Sequence, residues 1–423
     1  MTYYYVNNII GSDSNGGTSE AQAWAGITCW LDQTKGFTGG DTLWIKGTTM
    51  MYDIGRGQWT KGTDTKYSFS TTTNYSPRIY VQGYSDVTGD NCVGGLKPTV
   101  TRNVGDGVGT QHGGWDLMQN GYGTFANLHF HLNLSGTPHQ SGIGMRGSLA
   151  NIYRNISIHV ASTFSSGMNS SIITHDSTNT GYFRPIDGMQ ITYASDVSMN
   201  TPGLDNLFTE QARQATRGAF IDASNVVSND EVIQGAQSTS FSAIIQEGHV
   251  FIGKAGTDQI GMLYDIDTLP YGVQIEKCVF VNLGTGIRFT TPQTDFSATN
   301  WSGRIQMVVK DCIFINCGIG IDFDNTNLSD WKQLIEVVDC KFYNSSTNMI
   351  NGTAGPFTNI MALTKNPWDD TNKRLNAYGK TLSTFPYKIY DVSTGLMSLD
   401  SGNGRDNNYL GIKMVEDRTG GAF

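Results

Sequence analysis

Charged side chains are scarce in this sequence, and what is missing excludes several classes of protein. Lys, Arg, Asp and Glu make up 15% of the chain, against roughly 25% in an ordinary soluble domain. The formal net charge is −9 and no block of Lys and Arg is present, which argues against phosphate recognition and a nucleic-acid partner. No apolar run approaches the roughly 20 residues of a membrane span, so no membrane partner is expected.

The N-terminus and the cysteines also lack familiar signals. The opening MTYYYVNN has neither the basic start nor the apolar run of a secretory signal, so we expect synthesis in the cytosol without Sec export. No cysteines form a CxxC pair, which argues against a zinc ribbon or a thioredoxin-type site. We interpret them as buried, reduced packing residues. They are Cys29, Cys92, Cys278, Cys312, Cys317 and Cys340.

Glycine, small polar residues and aromatics are abundant instead. Gly occurs 51 times, and the chain has 19 Tyr, 19 Phe and 8 Trp. Many Asn, Ser and Thr residues suit tight turns and stacked polar side chains better than long helices. At 423 residues the chain exceeds the usual length of one core. It is therefore either several domains or one architecture that grows by repetition.

An internal repeat in the second half of the chain favours repetition. The segments VQIEKCVFVNLGTGIRF, IQMVVKDCIFINCGIGIDF and LIEVVDCKFYNSSTNMI align at spacings of 34 and 28 residues. EGHVFIG, with His249 and Phe251, fits one repeat earlier, and Asn127 and Asn155 repeat upstream at a separation of 28. The three aligned columns are Cys278, Cys312 and Cys340; Phe280, Phe314 and Phe342; and Asn282, Asn316 and Asn344.

Apolar residues alternate within each unit, which indicates strands. One such strand is unstable alone. Copies stacked at about 4.8 Å bury a continuous column of apolar side chains, and the backbone of each coil hydrogen-bonds to that of the next. An Asn at a bend tolerates left-handed backbone geometry, and its side chain hydrogen-bonds to the Asn residues of the coils above and below. Gly286 and Gly320 lower the steric cost of the turn at the next corner. The sequence predicts an all-β right-handed parallel β-helix, a solenoid; an ordinary β-sandwich is the alternative.

The first 85 residues carry another pattern. YYYVNNIIGSDSNGGTSEAQAWAGITCWL is followed by GGDTLWIKG and later by PRIYVQGY. This resembles the opening of pectate-lyase-like β-helix proteins, and the resemblance implies a helical cap before the first coil. We expect a helix from Ala21 to Leu31 with Trp24, Ile27 and Leu31 on the side that plugs the open apolar end.

The predicted organisation has three parts. A cap and first coil occupy 1–48, the β-helix with side loops occupies 49–366, and an irregular C-terminal extension occupies 367–423. We expect the extension to serve attachment or oligomerisation, with its GNGRDNN turn joining two short strands. A further helix or inserted loop is predicted between Asn200 and Arg217.

Paired carboxylates are the sharpest enzymatic pattern, because glycosidic cleavage needs one acid to protonate the leaving oxygen and a second group as base or nucleophile. Asp265 and Asp267 in YDIDT, and Asp322 and Asp324 in IDFDN, are two residues apart. Each pair therefore shares a strand face at about 6 to 7 Å, which suits an inverting mechanism. A solvated turn or strand edge is the alternative interpretation of both pairs.

Two other acid–base or lyase patterns are weaker. Glu247 and His249 in QEGHVF are predicted to share a face and are candidate general acids or bases, with a structural role as the alternative. A calcium-dependent lyase would need clustered acids beside a cation. Only Asp322 and Asp324 approach that, with Arg288 one coil away.

Histidines offer the remaining candidate for a metal site. His131 and His159 align at a separation of 28 residues, and His129 lies on the same strand as His131. No Cys or carboxylate column accompanies them, so we expect neither a metal nor another cofactor.

In style the chain resembles the β-helix proteins of tailed bacteriophages, which serve as tailspikes, head fibres or decoration proteins, often as trimers. The resemblance implies a structural virion protein that binds other virion proteins, forms a homo-oligomer and contacts host-surface glycans. It assigns no catalytic residue. A tailspike-type polysaccharide depolymerase, hydrolase or lyase, is the alternative. Because the cap begins near residue 1, no N-terminal anchor is expected, which counts against that alternative.

A carbohydrate-binding adhesin is the third possibility. Aromatic side chains stack on sugar rings, so exposed Trp and Tyr residues are the candidates. They are Trp115, Tyr122, Trp301 and Trp331.

Overall fold

The computed structural model is a β-solenoid of parallel strands, which confirms the predicted parallel β-helix. Within the part of the chain that it describes, no helix is long and apolar enough to cross a membrane. The structure describes residues 1–27, 40–53, 79–104, 115–116, 123–134, 145–147, 152–161, 171–175, 182–194, 201–205, 213–226, 232–238, 243–266, 272–290, 306–324, 334–338, 340–351, 360–361, 368–369 and 374–375.

Each coil contributes strands to three faces. The first and second faces share three long strands, Ile152–Val160, Tyr182–Tyr193 and Arg213–Asp222, so together they form one 19-stranded sheet. The third face is a separate 9-stranded sheet. Neighbouring strands within a face come from successive coils and pair in parallel, so equivalent residues of each coil lie over one another.

Besides the shared strands, the first face contains Tyr3–Val6, Thr42–Lys46, Ile79–Tyr84, Gly123–Ala126, Ala243–Glu247, Gly272–Glu276, Gln306–Lys310, Leu334–Val338 and Ile360–Met361. The second face contains Tyr52–Asp53, Thr99–Val104, His129–Leu134, Val250–Ile252, Val279–Val281, Ile313–Ile315 and Lys341–Tyr343. The third face contains Trp115–Asp116, Met145–Gly147, Ser171–His175, Thr201–Asp205, Val232–Ser238, Ile260–Ile266, Thr285–Thr290, Ile319–Asp324 and Thr347–Asn351.

A stack of phenylalanines occupies the interior behind the second face. The ring centroids of Phe251 and Phe280 lie 5.3 Å apart, those of Phe280 and Phe314 4.9 Å, and those of Phe314 and Phe342 4.7 Å. All four side chains are buried. These separations match the spacing of hydrogen-bonded strands, so the backbone register imposes the stack. One repeated residue type therefore builds a continuous core along the solenoid axis.

Asparagine ladders occupy two different corners. Asn282, Asn316 and Asn344 lie between the second and third faces; Asn316 donates to Asn282 over 3.0 Å and Asn344 donates to Asn316 over 3.2 Å. Asn127 and Asn155 lie between the first and second faces, where Asn155 donates to Asn127 over 2.8 Å. All five have positive φ, near +50 to +58°, a conformation that Asn tolerates.

The N-terminal cap is not the predicted helix. Between residues 20 and 26 a 3-10 turn forms at Glu20–Gln22, and Trp24 is then bridged in parallel to Val6 instead of lying in an α-helix. The Trp24 backbone carbonyl accepts from the Asn7 amide, and the Trp24 backbone amide donates to the Tyr5 carbonyl. The extended backbone at Trp24 therefore covers the edge of the first strand, which an α-helix could not do because its backbone groups bond within the helix. As expected, Trp24 and Ile27 are buried at the end of the core. Leu31 lies outside the described residues.

Strands occupy the described parts of the segment that was predicted as a helix or inserted loop. Thr201–Asp205 and Arg213–Asp222 pair in register with strands of neighbouring coils, and this pairing outweighs local helix propensity. Residues 206–212 lie outside the described residues. In the C-terminal extension, Trp368–Asp369 and Arg374–Leu375 form an antiparallel pair. The GNGRDNN turn lies outside the described residues.

Candidate functional site

An ion pair on the third face is the centre of the candidate site. Arg288 and Asp322 are direct register partners on adjacent coils, and Arg288 Nε donates to Asp322 Oδ2 over 2.9 Å. Their neighbours Ile287, Phe289 and Ile321 are buried in the core, so the alternation of the strands turns the ion pair outward. The Asp322 side chain is only 9% exposed, against 30% for Arg288. The guanidinium therefore holds the Asp322 carboxylate in a largely desolvated position.

Two further predicted aspartates share this part of the third face. Asp324 lies two residues after Asp322 in the strand Ile319–Asp324. Asp265 lies in the column of Asp324: Asp265 pairs with Thr290, and Thr290 with Asp324. Two strand spacings separate Asp265 from Asp324, about 9 to 10 Å between backbones. Asp265, Arg288, Asp322 and Asp324 define the acidic strip.

The backbone spacing of Asp322 and Asp324 is close to the carboxyl separation of inverting glycosidases. Inverting glycosidases hold their carboxyl groups about 6.5 to 9.5 Å apart, which leaves room for a water molecule. Asp322 and Asp324 are separated by about 6 to 7 Å along their strand. Asp267, the other member of the first predicted pair, lies outside the described residues.

Glu247 is held in an ion-pair network on the first face. Its carboxylate lies 2.8 Å from Arg217 Nε, one coil earlier, and 3.4 Å from Lys277 Nζ, one coil later. Both cations contact the Glu247 carboxylate, so its oxygens are engaged in ion pairs within the protein. Glu247 therefore acts as a link between three coils.

His249 does not share a face with Glu247, so that prediction is wrong. Gly248, between them, has a φ of +66° and forms the corner, which interrupts the strand alternation. The His249 side chain turns inward and is fully buried; its Nδ1 accepts from the Ala219 amide over 2.9 Å. Its Nε2 lies 2.9 Å from the Thr216 hydroxyl. A buried ring that accepts from a backbone amide cannot serve substrate in solution.

Thr216 and Gln246 complete a polar cluster that the sequence did not reveal. Both are fully buried, and the Thr216 hydroxyl donates to the side-chain oxygen Oε1 of Gln246. With Ala219 donating to Nδ1, the neutral His249 ring carries its proton on Nε2 and donates it to Thr216. Thr216, Gln246 and His249 define the core polar cluster. Residues from separate coils form this cluster. Its one signal in the sequence is that QEGHVF has His249 at the position where the later repeats have Cys.

The repeated cysteines lie buried at the corner between the first and second faces. Burial raises the pKa of Cys312 and Cys340 well above its usual value, and it raises the pKa of Cys317 to about 12. All five described cysteines are free. A protonated, buried thiol is a poor nucleophile, so these side chains act as packing residues.

The three predicted histidines do meet on the second face. His131 and His159 are direct register partners with stacked rings 5.5 Å apart. His129 Nδ1 lies 3.0 Å from the Ser157 hydroxyl. Burial lowers the pKa of His129 to about 4 and, to a smaller extent, that of His159, with the His131 charge adding to both shifts. Among the described residues, no group of three or more His, Cys, Asp or Glu could hold a metal ion as placed.

The predicted sugar-stacking aromatics remain predictions. Trp115 lies in the short strand Trp115–Asp116 at the start of the third face. Tyr122, Trp301 and Trp331 lie outside the described residues.

Comparisons with known proteins do not assign the chain to a family. No protein-family model matches it, and no curated protein matches it. A solved structure, a GH136 lacto-N-biosidase from Eubacterium ramulus, aligns over 86% of this chain and 68% of its own. The identity is 9% and the TM-score 0.30, a level of similarity that supports no inference about activity.

Proposed function

We propose that this protein is a polysaccharide depolymerase of the inverting glycoside hydrolase type, with the acidic strip as its active site. The observation that carries the proposal is the Arg288–Asp322 ion pair, with the backbone of Asp324 two residues further along the same strand. A long, straight face with carboxylates spaced along it suits an extended polymer better than a small molecule, because neighbouring coils can contact successive sugar units.

The ion pair suggests which carboxylate has which role. Because Asp322 is ion-paired with Arg288, we assign it as the general base: it accepts a proton from water as the water oxygen attacks the anomeric carbon. Asp324 is the general acid, which donates its proton to the leaving glycosidic oxygen. The bond between the anomeric carbon and that oxygen breaks and one new reducing end forms. Asp322 then releases its proton to solvent and Asp324 takes up a proton from solvent, which restores both groups. Asp265, two coils earlier, contacts a neighbouring sugar unit.

The test is the release of reducing ends from a panel of capsular and algal polysaccharides. Asp322→Asn and Asp324→Asn each lower the rate about 10²- to 10⁴-fold, the range of general acid–base contributions. Glu247→Gln is the matched control, because it removes a carboxylate from the first face. Unsaturated products would indicate a lyase instead, and equal rates in all variants would reject the acidic strip as the active site.

A structural role in a tailed-bacteriophage particle is the second candidate, and one surface feature favours it. The N-terminal end exposes apolar side chains on two adjoining turns: Ile9 is 60% exposed, Ile10 64%, Met50 55% and Met51 51%. The Asn8 side chain links the turns by donating to the carbonyls of Met50 and Met51. Such a patch suits contact with another virion protein or with a second copy, for example in a trimer.

Mass spectrometry of purified particles tests the virion role. If the role is correct, the chain is present in intact particles at a fixed copy number and stays with them through density-gradient purification. Its absence from particles would reject this candidate and leave the depolymerase proposal untouched. Light scattering of the isolated chain, with Ile10→Ser as the patch variant, tests whether the patch mediates self-association.

A further inference from the structure

The stacked pair His131 and His159 on the second face is a different kind of site. The strand His129–Leu134 pairs in parallel with Ile152–Val160, so the register places the two imidazoles directly over one another. Their ring centroids lie 5.5 Å apart with an interplanar angle of 29°. Both side chains are half-buried, so one edge of each ring faces solvent.

A hydroxyl on the next coil orients one of the rings. His159 Nδ1 lies 2.9 Å from Thr192 Oγ1, so one nitrogen of this ring is hydrogen-bonded to the protein and Nε2 is the other ring nitrogen. Metal-binding histidines commonly have this arrangement, with one ring nitrogen hydrogen-bonded to the protein and the other on the cation. His129 is engaged differently, because its Nδ1 contacts Ser157 in the neighbouring column.

We propose that His131 and His159 form a two-histidine site for a divalent transition-metal cation of the Cu²⁺, Ni²⁺ or Zn²⁺ class, with water completing the coordination. Imidazole nitrogen is the ligand that these cations share, and Cu²⁺ binds most tightly among them. Two ligands on adjacent strands of a rigid sheet lose little entropy on binding. The site is independent of the acidic strip, which lies on the third face, and of the proposed hydrolysis.

The full chain, produced without a histidine tag, is titrated with Cu²⁺ by calorimetry and examined by electron paramagnetic resonance. The expected result is one tight Cu²⁺ site per chain whose spectrum shows two imidazole nitrogens. His131→Gln and His159→Gln each weaken binding at least about 10-fold, the lower end for disrupted metal shells. His129→Gln and His175→Gln are the matched controls and leave the affinity unchanged.

Circular dichroism of each variant separates loss of the site from loss of the fold. Equal Cu²⁺ affinity in the wild type and the His131→Gln/His159→Gln double variant would overturn the proposal. A loss in His129→Gln as large as that in His131→Gln would also overturn it, because His129 would then be a ligand.

Discussion

The side-chain amide of Asn316 donates a 3.0 Å hydrogen bond to the side-chain oxygen of Asn282, one coil earlier, while both residues hold positive φ, +52° and +54°. The same residue type thus tolerates the positive φ of the corner and makes a hydrogen bond between coils. Substitutions at Asn316 separate these two contributions to stability. Asn316→Ala loses both and lowers the free energy of unfolding by about 1–2 kcal/mol.

Asn316→Gly is the matched variant, because glycine adopts positive φ without strain and loses only the ladder contact. Urea unfolding followed by circular dichroism is expected to rank stability as wild type, then Gly, then Ala. An Ala variant at least as stable as the Gly variant would contradict the account of this corner.

The phenylalanine stack makes a prediction about packing. Phe314 lies between Phe280 and Phe342 at 4.9 and 4.7 Å, so Phe314→Ala removes two ring contacts and opens a cavity. We expect a loss of about 3–5 kcal/mol, and a smaller loss for Phe314→Leu, which refills part of the volume. The measurement is the urea midpoint of each variant. Similar midpoints for Ala and Leu would mean that the interior is loosely packed there.

The core polar cluster predicts coupling between residues of different coils. Thr216→Val removes the hydroxyl that contacts both His249 and Gln246, leaving buried polar atoms without a partner, at a cost of about 1–3 kcal/mol. His249→Cys introduces the residue type that the later coils have at this corner, and it removes the imidazole that loses its partner in Thr216→Val. In a double-mutant cycle, Thr216→Val therefore costs less in the His249→Cys background. Strict additivity of the two costs would rule out the hydrogen-bonded cluster.

The second-face histidines predict acid sensitivity. The folded-state pKa of His129, about 4, lies below the usual 6.5, so the unfolded chain binds protons more readily. The stability contribution of neutral His129 is full above pH 6.5 and is lost as pH falls toward 4. Thermal unfolding at pH 7.5, 6, 5 and 4 is expected to show a falling midpoint. His129→Gln should flatten this decline; an identical slope in the variant would assign the sensitivity to other groups.

The repeat between residues 273 and 350 was readable from sequence because each column repeats one residue type. A Cys, Phe or Asn that recurs at the same place in successive coils can only be stacked, and the alternation gives the strand period. The same alignment predicted that Arg288 lies one coil away from Asp322, but it did not predict their ion pair. Upstream coils lack such repetition, so the sequence did not show that Asn127 and Asn155 lie at a different corner from Asn282.

The errors have a common physical origin in contacts between distant segments. The helix expected over 21–31 is replaced around Trp24 because the backbone there pairs with the first strand, and Gly17, at a φ of +71°, lets the indole lie against the chain. Likewise, Gly248 separates Glu247 from His249 by forming a corner that the two-residue period does not anticipate. Local patterns predict strands, but corners and caps depend on partners in other coils.

The stereochemistry of cleavage tests the central claim most directly. A polysaccharide that the chain cleaves is digested in an NMR tube, and the anomeric proton of the first product is followed before mutarotation. The spacing of Asp322 and Asp324 predicts inversion of configuration at the cleaved bond, and no product from Asp322→Asn in the same time. Retention of configuration, or unchanged cleavage by Asp322→Asn, would contradict the assignment of these two residues as general base and general acid.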